Sequence, residues 1–276
     1  MITTIMPDVE YHAQPQLSSH QLKEFLRSPA HYRALKEKQR KASKAMQMGT
    51  CIHMALLEPE KFKASLVWEE ACERRSKAGR ELYNDWMNSL EPHHIVVGTR
   101  TTRPDIDNIV ISAADLDNLN GMQAAYYRHG WVSFLHNHYA SHKNECSVFQ
   151  TFEDVQIRGR FDKIVDDSIV VDLKKTQDAR PNVFRRDFHK YGYGIQMAFY
   201  RLLFRQEYGR NPDQVVIVAI EEQYPHAVMA YEIAHVDLDE YEQKVINGIR
   251  EFAVCCESNE WPSYNDHSCS ILDLNF

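Results

Sequence analysis

The sequence predicts an α/β or α+β fold in which a central mixed β-sheet is flanked by helices. The hydrophobic pattern is mostly helical over about residues 1–142, and near residue 143 it changes to strand composition. After that change the predicted order is three strands, a helix, two strands and a final helix. We therefore expect a single domain with a helical N-terminal portion and a sheet core with C-terminal helices over about 143–276.

Amphipathic stretches separated by helix breakers indicate the helical portion. HQLKEFLRS, residues 20–28, ends before Pro29, and a basic helical segment follows over residues 31–46. GTCIHMALLEPEKF has a helical pattern that ends near Pro59. Two further stretches with a mostly helical pattern cover residues 71–93 and 105–142.

Strand composition indicates the sheet core. CSVFQTF, VQIRGRFDKIV and SIVVDLKKT are rich in β-branched and aromatic residues and are separated by the turn signals EDV and DDS. A long helix is predicted over YGIQMAFYRLLFRQEYG, closed by Gly209 and Pro212. Two more strands, QVVIVAIEEQ and HAVMAYEIA, then precede a helix over LDEYEQKVINGIREFAVCCES.

The composition is that of an ordinary globular protein. A chain of 276 residues with 43% hydrophobic residues can bury a substantial core. We expect a cytoplasmic protein with no membrane partner, because the sequence has neither a signal-peptide pattern nor an apolar run of about eighteen residues. The six cysteines show no CxxC or Cys/His spacing, which argues against a zinc site or a disulfide framework.

The charge is unevenly distributed along the chain. A net charge of -7 argues at first against a polyanionic partner. From Lys23 to Lys44, however, eight basic residues stand against two acidic ones, whereas from Asp213 onward thirteen acidic residues stand against two basic ones. This asymmetry permits a local cationic surface on an acidic protein. Solvated helix faces would explain such runs as well.

The predicted hairpin GRFDKIVDDSIVVDLKKT, residues 159–176, brings two carboxylates together. If its turn is centred on Asp167, Asp162 lies opposite Asp172, and Arg160 lies opposite Lys174. Like charges placed opposite each other destabilise a sheet. A buried carboxylate pair can share a proton or bind a cation, and oxygen ligands from two strands suit Mg²⁺ or Mn²⁺.

Two further residues extend this predicted site. Lys174 follows Asp172 by two positions, so both side chains lie on one strand face, as in sites that cleave phosphodiesters. A turn around residues 152–153 would place Glu145 near Arg160, although a shift of one residue would move Glu145 to the other face. The alternative for each aspartate is a turn former or an ion-pair partner of a nearby lysine or arginine.

Five ordered motifs resemble the PD-(D/E)xK nucleases, and within them the exonuclease VIII (RecE) C-terminal nuclease domain. VEYHAQPQLSSHQLKEFLRSPAHY resembles the opening segment, and MGTCIHMALLEPEKF resembles the Gly-Thr-x-x-His-x-x-x-Leu-Glu-Pro motif. GRFDKI and VVDLKKT resemble the metal-site strands, YGIQMAFY resembles the Gln-x-x-x-Tyr helix, and WPSY resembles the closing segment. The resemblance covers nearly the whole chain and implies a restriction-endonuclease-like core.

The resemblance also implies roles for individual residues. Asp162 and Asp172 would bind Mg²⁺, with Mn²⁺ as a substitute, and Lys174 would be the catalytic lysine. His53 would complete or support the metal shell, and Glu145 stands where relatives carry an acidic residue. The residues implied at the DNA are Gln196 and Tyr200, with Arg27, Arg158 and Arg160 as candidates for a 5′-phosphate and Lys175 as an added charge.

The function implied is a 5′ to 3′ exonuclease on linear double-stranded DNA, which leaves 3′ single-stranded tails for recombination and repair by annealing. A homo-oligomeric ring, trimeric or tetrameric, and a RecT-like annealing partner in a bacterial or phage-infected cytoplasm are implied with it. One alternative is a related nuclease that acts on single strands or endonucleolytically. Another is a DNA-binding protein with a degenerate nuclease fold, which the intact set of Asp162, Asp172 and Lys174 disfavours.

Overall fold

A computed structural model describes the chain at residues 2–3, 6–37, 43–69, 75–91, 93–98 and 108–264. Five residues in the middle of the predicted basic segment, 38–42, lie outside the described residues. Within the described ranges, none of the helices combines the length and the apolar character that a membrane crossing needs.

The N-terminal portion is mostly helical, as predicted. Its helices are α1 (Asp8–Ala13), α2 (Ser19–Arg27), α3 (Pro29–Glu37), α4 (Lys44–Leu57), α5 (Pro59–Ser65), α6 (Lys77–Ser89), α7 (Ala113–Arg128) and α8 (Gly130–His138). Serine side chains fix several helix starts by accepting a hydrogen bond from the backbone of the first turn. Ser18 caps α2 in this way, and Gln21 completes a capping box with the Ser18 backbone.

The described strands form two sheets. They are β1 (Ile2–Thr3), β2 (Leu17–Ser18), β3 (Leu66–Trp68), β4 (Ile95–Val97), β5 (Ile109–Ile111), β6 (His142–Phe152), β7 (Val155–Val165), β8 (Ile169–Thr176), β9 (Gln214–Glu221) and β10 (Val228–Glu232). The larger sheet has the order β1-β6-β7-β8-β9-β10, and β2 pairs with β7. The smaller sheet has the order β3-β4-β5.

The larger sheet confirms the predicted mixed topology. Strands β6, β7 and β8 form an antiparallel meander, whereas β8 and β9 are parallel. The crossover between β8 and β9 consists of α9 (Pro181–Lys190) and α10 (Tyr193–Tyr208), and α11 (His235–Ser258) follows β10. A parallel connection needs such a crossover because the chain must return to the same end of the sheet.

Helices cover both faces of the larger sheet. Helices α2, α3, α10 and α11 contribute side chains to one core, whose fully buried members include Leu22 and Phe199. Helices α4, α7 and α8 contribute to a second core on the other face, which includes Ile52 and Leu119. The molecule is therefore a layered α/β structure around a mixed sheet.

The prediction missed the smaller sheet and α9. Strand β5 lies inside residues 105–142, for which the sequence predicts mostly helix. The other two strands of this sheet, β3 and β4, are also three residues long, which is too short for a strand period to appear in the sequence. Helix α9 opens at Pro181, in the first-turn position where proline is tolerated.

The β7–β8 register agrees with the prediction, whereas the β6–β7 register differs from it. Lys163 pairs with Val171, as expected for a turn centred on Asp167. In the first hairpin Ser147, not Glu145, lies opposite Arg160. The reason is the turn, where Glu153 and Asp154 both have positive φ, so it is centred one residue later than predicted.

Candidate active site

A cleft of about 910 Å³ opens between the helical portion and the larger sheet. Eight described elements contribute to its lining: helices α1, α2, α3, α4 and α10, and strands β2, β6 and β7. Three predicted metal-binding residues, His53, Glu145 and Asp162, line it together with Gln196 and Tyr200. Three separate regions of the chain therefore meet at the predicted site.

His53, Glu145 and Asp162 form a compact group. His53 Nδ1 lies 3.6 Å from Asp162 Oδ1 and 4.0 Å from Glu145 Oε1. One ligand atom from each residue lies within 4.8 Å of the others. His53 lies on helix α4, which packs on the sheet, whereas Glu145 and Asp162 lie on the neighbouring strands β6 and β7.

Glu145 reaches this group through an unusual backbone conformation. Its φ is 50°, and the ladder between β6 and β7 passes from Asn144–Lys163 to Cys146–Phe161 without a Glu145 pair. The shifted register brings Glu145 level with Asp162. A non-glycine residue at positive φ costs on the order of 1 kcal/mol or more, and such strain collects at functional sites.

Asp162 occupies the point where β7 and β8 part. The ladder between these strands ends at the Lys163–Val171 pair. Just beyond it, Asp162 Oδ2 accepts a hydrogen bond of 2.7 Å from the backbone N–H of Leu173. The carboxylate thus replaces a ladder partner and is fixed in place, with its other oxygen turned toward His53.

Asp172 is almost fully buried, with an exposed fraction of 1%. Its Oδ1 accepts a hydrogen bond of 3.1 Å from Gln196, and its Oδ2 forms an ion pair with Lys174. Burial raises the pKa of this carboxyl to about 6, and the charge of Asp162 adds to the rise while Lys174 opposes it. The two aspartates are therefore close enough to repel each other, as the sequence predicts.

The two adjacent lysines of β8 lie on opposite faces of the sheet. Lys174 lies over the ring of Tyr193, with its Nζ 5.0 Å from the ring centroid, on the same side as Asp172. Lys175 forms an ion pair of 2.8 Å with Glu222. Because side chains alternate along a strand, only Lys174 faces Asp172.

Gln196 and Tyr200 lie one turn apart on α10, so both face the cleft. Gln196 Nε2 donates to Asp172 and to the hydroxyl of Tyr200, which is 3.3 Å away. Burial, and then the charge of Asp172, raises the pKa of Tyr200 well above its usual value. The Tyr200 ring also packs against Phe161, so this residue is part of both the core and the cleft wall.

The three candidate arginines have different surroundings. Arg158 donates to the carbonyls of Tyr11 and Gln16, and Arg160 donates to the Met6 carbonyl and the Ser147 hydroxyl. Both line the cleft. Arg27 lies on the surface at the end of α2 in an ion pair with Glu24. It is not among the cleft-lining residues of the described chain.

The donor set fits a hard divalent cation. Carboxylate oxygens are the ligands that Mg²⁺ and Mn²⁺ prefer, and a single imidazole is compatible with Mn²⁺. Asp172 Oδ2 is buried and pairs with the Lys174 ammonium. His53, Glu145 and Asp162 could thus hold the ion. Asp172 lies on the neighbouring strand β8, close enough for its charge to interact with that of Asp162.

Sequence reasoning missed two side chains beside Asp172. Tyr193 lies under the Lys174 ammonium, and Lys23 lines the cleft with its own pKa lowered by burial and by the charge of Lys174. Lys23 belongs to the basic stretch, but no spacing distinguishes it from the other basic residues there. Its position at the cleft depends on the packing of α2 against the α9–α10 junction, which no local sequence pattern indicates.

The family described as "PDDEXK-like domain of unknown function (DUF3799)" matches residues 18–274. A candidate exonuclease from Eubacterium rectale is 13% identical, with 99% of this chain and 97% of that chain covered and a TM-score of 0.60. At this identity the likeness establishes a shared fold. A phage-related exonuclease from Haemophilus somnus 129PT is 13% identical over 88% of this chain and 96% of that chain, with a TM-score of 0.37. Among curated proteins, none matches the sequence.

Proposed function

The chain belongs to the family of PDDEXK-like domains, and on this premise we propose that it is a RecE-like, divalent-metal-dependent exonuclease acting on linear double-stranded DNA. One observation carries the proposal: His53, Glu145 and Asp162 form a compact group at the cleft, and Gln196, which lines the same cleft, donates to the buried Asp172 that pairs with Lys174. Metal ligands next to a lysine are one arrangement that can hydrolyse a phosphodiester.

A Mg²⁺ or Mn²⁺ ion bound by His53, Glu145 and Asp162, with Asp172 nearby, would neutralise phosphate charge and lower the pKa of a bound water. The donor atoms are held by the protein itself. Leu173 N–H fixes Asp162, and Gln196 fixes Asp172, so the acidic groups need little reorganisation when substrate binds.

Lys174 is the residue best placed to act on the reacting phosphate. Its ammonium is held between the Asp172 carboxylate and the Tyr193 ring, and its side chain is only 15% exposed. In this position it can orient the attacking water or stabilise the charge that develops on the phosphate oxygens.

Digestion should be independent of base sequence. Lysine and arginine contacts to phosphates position a strand but carry no sequence information. The finer features of the proposal rest on the resemblance of the motifs: 5′ to 3′ polarity, a homo-oligomeric ring that turns basic segments toward the DNA, and recombination together with a RecT-like annealing protein.

The test is digestion of four DNA substrates with the same sequence: a linear duplex, a nicked circle, a closed circle and a single strand. We expect the linear duplex to be degraded from its 5′ ends in Mg²⁺ and to stay intact in EDTA. Cleavage of the closed circle would identify an endonuclease, and preference for the single strand would identify another substrate class. No cleavage of any substrate would favour a DNA-binding protein with a degenerate site.

A further inference from the structure

Lys23 is held at the cleft by the junction between α9 and α10. It lies on the face of α2 that lines the cleft together with Ser19. Its Nζ donates a hydrogen bond of 3.2 Å to the carbonyl of Tyr191, at the end of α9. The ammonium is therefore directed to one place rather than free on the surface.

Gly192 makes this close approach possible. Its φ is +63°, and a Cβ placed on it would lie 3.0 Å from Lys23 Cδ. A side chain at this position would push the lysine stem away and would strain the backbone. The following residue, Tyr193, lies under Lys174. One short segment, 191–193, thus positions the two ammonium groups of Lys23 and Lys174.

The two cations lie near each other, but they are not equally neutralised. Lys174 is paired with Asp172. Lys23 forms no ion pair with a carboxylate within the described residues, and an ammonium has three donors, of which the Tyr191 carbonyl takes one. Burial and the charge of Lys174 lower the pKa of Lys23, while the charges of Asp172 and Glu24 partly oppose this. A bound anion would relieve this repulsion and would accept the remaining hydrogen bonds.

We propose that Lys23 binds a phosphate of the cleaved DNA strand next to the one that reacts at Lys174. The inference rests on the proposed function, since it takes nucleic acid as the occupant of the cleft. Because the same phosphate is bound before and during the reaction, Lys23 contributes to affinity more than to the chemical step. Lys23 is a substrate-binding residue, whereas Lys174 acts on the reacting group.

The experiment measures the Kd of a linear duplex at several salt concentrations in Ca²⁺, after a check that the wild type does not cleave it there. For Lys23→Gln we expect weaker binding. The slope of log Kd against log salt concentration should also be lower by about 0.7–0.9, because one phosphate contact is lost. Lys23→Arg should restore most of the affinity. In Mg²⁺, KM should rise in Lys23→Gln while kcat stays within about threefold of the wild type.

A lysine far from the cleft provides the matched control. Lys63 lies on α5, is 67% exposed and pairs with Glu60, so Lys63→Gln should keep the wild-type affinity and salt slope. Duplexes with one neutral methylphosphonate locate the contact. At the phosphate that Lys23 binds, the neutral linkage should weaken binding by the wild type but not by Lys23→Gln.

Each outcome decides the inference. If the wild type neither binds nor cleaves DNA, the proposed function itself fails. If the wild type cleaves DNA while Lys23→Gln keeps the full salt slope, only the role of Lys23 fails. Should thermal melting show Lys23→Gln to be unfolded, Lys23→Met, which keeps the stem that packs on Gly192, is measured instead. Unfolding of both neutral variants would assign Lys23 a structural role and overturn the inference.

Discussion

At the scale of single residues, Asp172 is a carboxylate whose negative charge is energetically unfavourable at the site. Its carboxylate is buried, is repelled by Asp162, and is only partly compensated by Lys174. A pKa raised to about 6 means that the folded protein binds this proton more tightly than the unfolded chain does. The stabilising contribution of this group is therefore full below about pH 4, its ordinary range, and is lost as the pH rises through about 6.

Asp172→Asn should therefore stabilise the protein when metal is removed with EDTA at pH 8. We expect a gain of roughly 1–3 kcal/mol, because burial of the negative charge outweighs its attraction to Lys174, and a neutral amide avoids that cost. The gain should shrink toward zero at pH 4, where the wild-type carboxyl is itself protonated. Thermal unfolding of both proteins at the two pH values measures this, and an Asn variant that is less stable at pH 8 would contradict it.

The adjacent lysines of β8 provide a matched pair for the chemical step. Lys174→Gln should lower the single-turnover cleavage rate by about 10²–10⁴-fold, because the group that we propose acts on the reacting phosphate is lost. Lys175→Gln should keep nearly the wild-type rate, because Lys175 pairs with Glu222 on the other face of the sheet. Equal losses in both variants would be inconsistent with this assignment.

Some residue placements could be predicted and others could not. The DDS turn signal and the alternation of strand residues suffice to predict that Asp162 and Asp172 come close together. The β7–β8 register is the predicted one, although its ladder ends at Lys163–Val171, one pair before the two aspartates. The sequence predicts Glu145 opposite Arg160, whereas Ser147 lies there. The reason is that the turn at Glu153 and Asp154 is centred one residue later than the sequence suggests. Lys23 depends on packing between distant segments, which no local pattern encodes.

At the scale of elements, the long helices and strands carry clear periodic signals, whereas the short ones do not. Helix α10 could be predicted from its hydrophobic pattern and from the Gly209 that closes it. Strands β3, β4 and β5 could not, because each pairs with partners distant in sequence and has only three residues. These short strands lie outside the cleft, so missing them did not affect the predicted site.

Helix α10 is fixed against α11 by a buried ion pair. Arg201, which is 2% exposed, donates to Glu242, which is 5% exposed, and Arg205 pairs with the same carboxylate. This anchoring matters for the site because α10 carries Gln196 and Tyr200.

Arg201→Met should destabilise the fold by about 3 kcal/mol, because removing one partner of a buried pair leaves the other charge poorly compensated. Urea unfolding measures the change. The double variant Arg201→Met with Glu242→Leu should regain part of the loss, because no buried carboxylate is then left behind. A single variant as stable as the wild type would show that α11 does not anchor α10 in this way.

At the scale of the whole molecule, an acidic protein presents basic side chains at its cleft. The net charge is -7, yet Lys23, Arg158 and Arg160 all line the cleft beside the acidic group. The uneven charge along the sequence permits this arrangement, but only the fold reveals which basic residues face inward. A divalent cation at the acidic group would make the cleft more attractive to a polyanion.

Binding of DNA should therefore depend steeply on salt despite the negative net charge. If two or more phosphates are contacted in the cleft, affinity for a linear duplex should fall at least about tenfold between 50 and 200 mM salt. Fluorescence anisotropy with the wild type in Ca²⁺ measures this dependence. A Kd that does not change with salt would contradict phosphate binding at the cleft.

The most direct test of the central claim is calorimetric titration of Mn²⁺ into the metal-free wild type and Asp162→Asn, without DNA. We expect the wild type to bind Mn²⁺ and Asp162→Asn to bind at least about tenfold more weakly, because Asp162 is the carboxylate that contacts His53 and is fixed by Leu173 N–H. Lys175→Gln should bind as the wild type does. Equal Mn²⁺ affinity in the wild type and Asp162→Asn, or no binding by either, would contradict a metal site at His53, Glu145 and Asp162.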